Sequence, residues 1–280
     1  GKALDVTVLE KEKENLLIYY TDHGYPYAEI RQDIEVSEDK KHATVHYEVK
    51  PGSKVFIGEV LKVGDVLTSV KAIDQAIGLH KGESFSYNKL VESRLSLRRT
   101  GAFSAVDIEP IGLQEQESVV HLRTKVEERN PFVLDLDGRY STDANLSGVL
   151  RFTNYNSFGW AKQTHLLLRA GLEEARGELG WLDPRFIGSP WQLSISGWTN
   201  YDREPIQTSL QHGGGFSLFR QFSRIGFLNR YELARTYILS GSTTDPSALR
   251  DNTLSKVITS GSYDSRDHYG DPRKGIFTLL

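Results

Sequence analysis

A cluster of ionisable side chains near the end of the sequence is the first place to look for chemistry. Asp264, Ser265, Arg266 and Asp267 form one run, and a serine beside carboxylates could imitate the polar cluster of a hydrolase. Such a site also needs a base, and no known catalytic motif assigns a histidine as the partner of these residues. Pairing of opposite charges at a turn between two alternating stretches is the simpler interpretation. The sequence therefore predicts a structural hairpin motif, which consists of Tyr263, Asp264, Arg266, Asp267, Pro272 and Gly275. Its turn is expected to contain Gly270, Asp271, Pro272 and Gly275.

The remaining chemical motifs are weaker. His212-Gly213-Gly214-Gly215 is similar to the oxyanion loop of esterases, but the sequence has no G-x-S-x-G nucleophile elbow. A strand kink or a close backbone approach explains the three glycines better. The eight histidines show neither H-E-x-x-H nor paired helical spacing, and the sequence has no cysteine. We therefore expect a protein that is not an enzyme and has no metal site and no cofactor.

Composition narrows the class of protein further. A net charge of -3 gives no support to nucleic-acid binding. The absence of cysteine excludes disulfides and thiol catalysis. Methionine is also absent, even at position 1, which predicts a chain that is processed or cut from something longer. No apolar run is long enough for a spanning helix. The strands of a membrane barrel carry a weaker, alternating signal, so a barrel stays open.

The composition changes near Asn130, and the residues before it are rich in Glu and Lys. A helix is predicted over 10–23, ended by Gly24, with strands over 29–36 and 43–49. The stretch 53–128 predicts a fuller order, β-α-α-β-β, which repeats the first segment. Its elements are expected at 54–63, 68–79, 83–100, 105–111 and 118–126.

From Pro131 onward, aliphatic residues alternate with polar ones, and helical periodicity is hard to find. About nine strands are predicted, beginning near 132, 146, 163, 174, 190, 205, 223, 254 and 273. The pattern fits a transmembrane barrel with a polar interior, although a soluble β-sandwich or lipocalin-like barrel also alternates. Aromatic residues near strand ends favour the membrane barrel because they would form an interfacial girdle. The four tryptophans are expected there: Trp160, Trp181, Trp191 and Trp198.

The stretch 53–128 resembles a POTRA domain, the periplasmic module that precedes outer-membrane barrels of the BamA/TamA superfamily. The resemblance rests on four short motifs, namely Gly58-Glu59-Val60, Gly82-Glu83-x-Phe85, Gly101-Ala102-Phe103 and Val126-Glu127-Glu128. The predicted hairpin motif is similar to the Y-D-x-R-D…P…G hairpin of that superfamily, and Leu182-Asp183-Pro184-Arg185-Phe186 to its D-P-R-F turn. The expected organisation is the C-terminal part of a POTRA domain at 1–50, a POTRA domain at 51–129 and the N-terminal part of an outer-membrane β-barrel at 130–280.

The resemblance implies both a fold and a function. The fold is α+β POTRA domains followed by an all-β antiparallel transmembrane barrel of sixteen strands, of which this chain supplies about nine. Members insert or translocate other proteins without a cofactor or an active site. POTRA strand edges capture extended clients by β-augmentation, and clients pass to a lateral seam at the first barrel strand, an edge that can template an incoming strand. By this mapping the seam strand is Phe132, Val133, Leu134, Asp135, Leu136, Asp137, Gly138, Arg139, Tyr140 and Ser141.

The same resemblance implies the location and the partners. The barrel would lie in the bacterial outer membrane, with the POTRA domains in the periplasm. The partners would be unfolded outer-membrane or secreted protein clients, outer-membrane lipid, and accessory lipoproteins or an inner-membrane partner, with no nucleic acid. A POTRA-bearing secretion channel or passive porin stays open, because it would share every feature visible in this sequence. The superfamily's V-R-G-F/Y loop, which the resemblance places further downstream, would distinguish an assembly factor from such a channel. A β-barrel hydrolase would need a catalytic cluster that the sequence does not reveal.

Overall fold

The computed structural model describes residues 5–39, 41–64, 67–141, 145–242, 250–267 and 272–280. Within these ranges it leaves undescribed the side chains of Arg139, Ser141 and Asn145. Gly270 and Asp271 of the predicted turn lie outside the described residues. The chain forms two compact units. The first comprises residues 1–66, 76–98 and 103–127, and the second comprises 67–75, 99–102 and 128–280.

The first unit begins with helix α1, Val6–Asp22. Asp5 starts the helix by accepting a hydrogen bond from the backbone N–H of Thr7 at 3.0 Å. Gly24 follows its end with a φ of +94°, as the sequence predicted for a helix stop. Strands β1, Glu29–Val36, and β2, Ala43–Lys50, then pair antiparallel. No helix in the described part of the chain is long and apolar enough to cross a membrane.

The next elements follow the predicted β-α-α-β-β order. They are β3 (Phe56–Val63), α2 (Val70–Ile77), α3 (Tyr87–Arg99), β4 (Phe103–Ile111) and β5 (Val119–Glu128). The three strands form a sheet in the order β3-β5-β4, and β3 runs parallel to β5. The core of the first unit contains fully buried side chains from both helix and sheet, among them Val55, Phe85, Leu97, Ile108, Val120 and Leu122.

Helix α3 begins four residues later than the predicted start at Glu83. Residues 83–85 instead run beside the chain that enters β3. The N–H of Ile57 donates to the carbonyl of Glu83 at 2.8 Å, and the N–H of Phe85 donates to the carbonyl of Val55 at 2.9 Å. Asp22 then caps the helix by accepting a hydrogen bond from the N–H of Asn88 at 3.0 Å. The boundary is therefore set by tertiary contacts.

Within the described residues, the second unit contains one nine-stranded sheet in sequence order, in which every strand is antiparallel to its neighbours. A short 3-10 turn, Phe186–Gly188, precedes the fifth strand. The strands are β6 (Phe132–Ser141), β7 (Asn145–Ser157), β8 (Lys162–Gly171), β9 (Glu174–Asp183), β10 (Gln192–Arg203), β11 (Gln207–Phe222), β12 (Ile225–Gly241), β13 (Asn252–Asp264) and β14 (Phe277–Leu279). The predicted number of strands is confirmed, and each strand begins within four residues of its predicted start.

Candidate functional site

One face of the nine-stranded sheet is apolar. Side chains directly opposite each other in an antiparallel pair lie on the same face, so the register identifies the members of each row. One such row crosses five strands and consists of Trp181, Ile195, Phe216, Tyr231 and Val257. Many of these side chains are exposed, and Val257 reaches 72%. We call this surface the apolar face, and its pattern is that of a lipid-facing barrel wall.

The opposite face, which we call the polar face, carries charged and small residues. One row runs His165, Gly180, Ser196, Gly215, Glu232 and Lys256. Glu178 lies between two nitrogen-bearing side chains: the Arg176 guanidinium is 2.7 Å away, and Nε2 of His165 is 3.5 Å away. These residues border a recess of about 400 Å³, which is also lined by serines and by Trp198. Alternation along the sequence predicted this separation of the two faces.

Trp198 departs from the prediction for the tryptophans. It lies inside β10 rather than at a strand end, and the register places it opposite Glu178 and Gly213 on the polar face. The indole lies against Gly213, where an added Cβ would be 2.5 Å from two of its ring carbons. The expectation of a girdle position for Trp198 is therefore wrong, because the residue fills space left by a glycine on the neighbouring strand. This close approach accounts for one glycine of the His212–Gly215 run.

Strand β6 is at one end of the sheet, and within the described residues it pairs only with β7. Its start is fixed: the Asn130 side chain accepts a hydrogen bond from the N–H of Phe132 at 3.1 Å, and the Phe132 ring stacks on Phe152 at 5.9 Å. Leu136 is 71% exposed on the apolar face. Gly138 lies opposite Gly148, so this pair of strands has no side-chain contact at that position. The predicted seam strand is thus an end strand with one unpaired edge in the described sheet.

The predicted hairpin motif is built on two carboxylates. The Asp264 carboxylate accepts two hydrogen bonds from the Arg266 guanidinium, from Nε at 2.9 Å and from Nη2 at 2.6 Å. Asp267 accepts from the backbone N–H groups of Arg273 at 2.9 Å and Lys274 at 3.1 Å. Both carboxylates are therefore occupied in local hydrogen bonding, an arrangement that fixes a turn.

The other members of the motif flank this turn. Tyr263 lies in β13 and pairs with Thr278 of β14. Gly275 has a φ of +104°, and an added Cβ would be 2.3 Å from the carbonyl oxygen of Ser265, so the position requires glycine. Pro272 is exposed. The assignment of these residues to a superfamily motif remains a prediction.

A second polar cluster was not found from the sequence. Within the second unit, Glu128 accepts hydrogen bonds from the N–H and the hydroxyl of Thr68, and the N–H bond measures 2.6 Å. The Asn156 amide donates to the Thr68 hydroxyl at 2.9 Å. Burial alone would raise the pKa of Glu128, but the hydrogen bonds from Thr68 and the N–H of Leu67 lower it. The partners are 60 and 88 residues apart along the chain, so no local pattern could reveal them. In the part of the chain that the structure describes, no cluster of acidic and histidine side chains could hold a metal ion.

Comparisons with known proteins agree with this architecture. A family model described as POTRA, surface antigen variable number repeat, matches residues 1–52. The outer membrane protein assembly factor BamA of Nitratidesulfovibrio vulgaris (strain Hildenborough) is 34% identical over 160 residues, which is 56% of this chain and 20% of that protein. The chain thus spans about a fifth of the length of this curated relative.

Solved structures of BamA and CdiB share the fold of this chain. BamA from Haemophilus ducreyi lacking POTRA domains 1-3 gives a TM-score of 0.62 at 14% identity, covering 100% of this chain and 57% of that chain. CdiB from Acinetobacter baumannii gives a TM-score of 0.53 at 14% identity, covering 89% of this chain and 49% of that chain. At this identity the likeness concerns the fold alone.

A POTRA match followed by a nine-stranded antiparallel sheet with one apolar face defines a class of protein, in which periplasmic POTRA modules precede the strands of an outer-membrane barrel. The POTRA match and the sequence similarity to BamA support a protein of the BamA/Omp85-type superfamily. The same similarity indicates an outer-membrane location for the barrel strands and a periplasmic location for the POTRA part.

Proposed function

We propose that this chain is part of a factor that inserts proteins into the outer membrane or translocates them across it. Clients are captured on POTRA strand edges by β-augmentation and handed to a lateral seam at β6. The clients are unfolded outer-membrane or secreted proteins, with accessory lipoproteins or an inner-membrane partner as further partners. The domains are 1–50 and 51–129 for the two POTRA segments and 130–280 for the barrel portion. The name and sequence similarity of the curated relative support an assembly role.

The observation that carries the proposal is the position of β6 at the end of the sheet. An edge strand exposes backbone N–H and C=O groups that can pair with an extended chain. Lipid offers no hydrogen bonds to these groups, so an unpaired edge in the membrane must find a partner. The facing glycines Gly138 and Gly148 remove side-chain contacts between β6 and β7. A weakly held end strand is what a seam that opens needs.

The POTRA part offers a second kind of edge. Strands β1 and β2 form a two-stranded sheet, so each has one unpaired side within the described residues. β2 alternates along its length, with Val45, Tyr47 and Val49 less exposed than their neighbours. An added strand would continue this alternation, which is how extended peptides are recognised on sheet edges.

The seam is tested by photo-crosslinking in the full-length protein in cells. A benzophenone side chain replaces Leu136 on β6 in one variant and Leu168 on β8 in the matched variant. Both leucines are on the apolar face, but β8 is paired on both sides. We expect client proteins to crosslink at position 136 and not at position 168. Equal client yields at both positions would count against the seam.

A disulfide lock tests whether opening of the seam is needed. Residues 1–280 contain no cysteine, so an introduced pair has no competing thiol within this part of the protein. A bridge from Leu136→Cys to the closing barrel strand should abolish client handling while the barrel stays folded. A bridge between Leu150→Cys and Leu168→Cys, which are opposite each other on β7 and β8, should be harmless. If both bridges were harmless, the polar face would be better explained as the wall of a passive channel.

A further inference from the structure

A basic side chain, Arg220, lies on the apolar face near the end of β11. Arg220 is directly opposite Phe227 of β12. Its guanidinium carbon lies 4.1 Å from the centre of the Phe222 ring and 5.6 Å from that of Trp191. The Trp191 ring is 6.2 Å from both phenylalanine rings, edge on. One cation is thus surrounded by three aromatic side chains, which we call the Arg220 cluster.

The charge of Arg220 is not neutralised within the described residues. Arg220 has no carboxylate within ion-pair distance there, and its buried Nε finds no hydrogen-bond partner. Lys162 makes the comparison clear, because it also lies over a tryptophan ring, 5.1 Å from the centre of Trp181. Its ammonium group is 2.9 Å from the Asp183 carboxylate. Both cations lie on aromatic rings, but only Lys162 has an acidic partner.

The position of the Arg220 cluster along the strands determines what surrounds it. The chain leaves the periplasmic POTRA part at Glu128 and begins β6 at Phe132. Successive strands of an antiparallel sheet run in opposite directions. The start of β6 therefore lies along the same edge of the sheet, formed by strand termini, as the ends of β7, β9 and β11 and the starts of β8, β10 and β12. The Arg220 cluster lies at that edge, beside the two-residue turn between Phe222 and Ile225. On the apolar face this is the level of the periplasmic lipid headgroups, where aromatic side chains concentrate.

We propose that the Arg220 cluster binds the phosphate group of a phospholipid in the periplasmic leaflet of the outer membrane. Stacking on the rings holds the guanidinium plane in place. Its N–H groups can then donate to phosphate oxygens, a charge-assisted pairing that arginine geometry favours. The aromatic rings contact the first part of the acyl chains. The site rests on the membrane placement of the sheet and is independent of client handling.

The test is native mass spectrometry of the full-length protein in detergent micelles, titrated with dioleoyl phosphatidylglycerol. Loss of a charge-assisted hydrogen bond should weaken the tightest lipid-binding step about tenfold in Arg220→Gln, whereas Arg220→Lys should retain part of the binding. Arg235→Gln is the matched control, because Arg235 also stacks on an aromatic ring, 5.0 Å from Tyr237, on the same face but away from this edge. It should bind lipid as the wild type does. A heat-dependent gel shift of each variant reports that the barrel is folded.

Two control ligands test whether binding needs both the phosphate group and the acyl chains of the phospholipid. Dioleoylglycerol lacks the phosphate and should bind no better to the wild type than to Arg220→Gln. Inorganic phosphate lacks the acyl chains and should not displace the phospholipid at equal concentration. The proposal is overturned if Arg220→Gln keeps wild-type affinity, if Arg235→Gln loses as much, or if either probe reproduces phospholipid binding.

Discussion

The first unit and the nine-stranded sheet use the same kind of strand in opposite ways. In β5, Val120 and Leu122 alternate with more exposed residues and are fully buried. In β6 and β13, Leu136 and Val257 also alternate with other residues, yet both are more than 70% exposed. Alternation therefore tells us that a strand has two unlike faces. Whether a helix or lipid covers the apolar face depends on residues outside the strand.

The largest effect is expected when the sheet is separated from its surroundings. The fragment 130–280 has an exposed apolar face and two end strands, and water does not favour so much exposed apolar surface. We expect the fragment to aggregate in buffer and to stay dispersed only in detergent. Size-exclusion chromatography with light scattering, with and without detergent, measures this. A monodisperse monomer in buffer would mean that the sheet belongs to a soluble β-fold.

The opposite behaviour is expected of residues 53–128. This stretch contains the full β-α-α-β-β set of elements and most of the buried apolar residues in the described part of the chain. We therefore predict that it folds alone in buffer, with a cooperative thermal transition followed by circular dichroism. A featureless spectrum or a gradual transition would show that the stretch depends on the rest of the chain.

Two leucines in this fragment provide a quantitative check. Leu97 is 0% exposed and Leu61 is 48% exposed. Leu97→Ala should lower the free energy of unfolding by about 3 kcal/mol, because it removes buried methyl groups and leaves a cavity. Leu61→Ala, the control, should change it by less than about 0.5 kcal/mol. Equal effects of the two substitutions would contradict the core described above.

Much of this architecture follows from local sequence pattern, and what does not can be traced to contacts at long range. The strands β6 to β14 were predicted because each carries its own alternation and turn residues. The start of α3 was not, since the bonds of Val55 and Ile57 to residues 83–85 and the cap from Asp22 come from other elements. Trp198 was misplaced because composition identifies an aromatic residue but not the strand face on which it lies. The link between Glu128, Thr68 and Asn156 was missed because Thr68 is 60 residues from Glu128 and 88 residues from Asn156 along the chain.

A smaller effect is expected on the polar face at Gly213. An added Cβ there would lie 2.5 Å from the Trp198 ring, whereas at Gly214, on the other face, the nearest atom is an ordinary 3.4 Å away. Gly213→Ala should cost about 1–3 kcal/mol of barrel stability because the ring must move. Gly214→Ala should be nearly neutral. Urea unfolding of the full-length protein in detergent measures both.

The double variant separates the ring contact from a general cost of replacing glycine. If the contact with the indole is the cause, Trp198→Ala should relieve most of the penalty of Gly213→Ala, and the two effects will not be additive. Additive effects would instead mean that the backbone of β11 needs glycine at this position for its own sake.

The smallest effect is a pH dependence that originates at Glu128. Its pKa is lowered by the hydrogen bonds from Thr68 and Leu67, so the folded state binds a proton less readily than the unfolded state does. The stabilisation is complete above the ordinary pKa of a glutamate, about 4.3, and is lost as the pH falls through the lower pKa of the folded state. In melts of the 53–128 fragment between pH 3 and pH 7, the wild type should therefore have a higher Tm than Glu128→Gln near neutral pH, and the difference in Tm should shrink below about pH 4.

Two further variants test the cause of this pH dependence. Thr68→Val should reduce it because the substitution removes one of the hydrogen-bond donors to Glu128. Glu127→Gln controls for the removal of a carboxylate from the same strand. A difference between the wild type and Glu128→Gln that stays constant with pH would mean that the carboxylate contributes through shape and not through its charge.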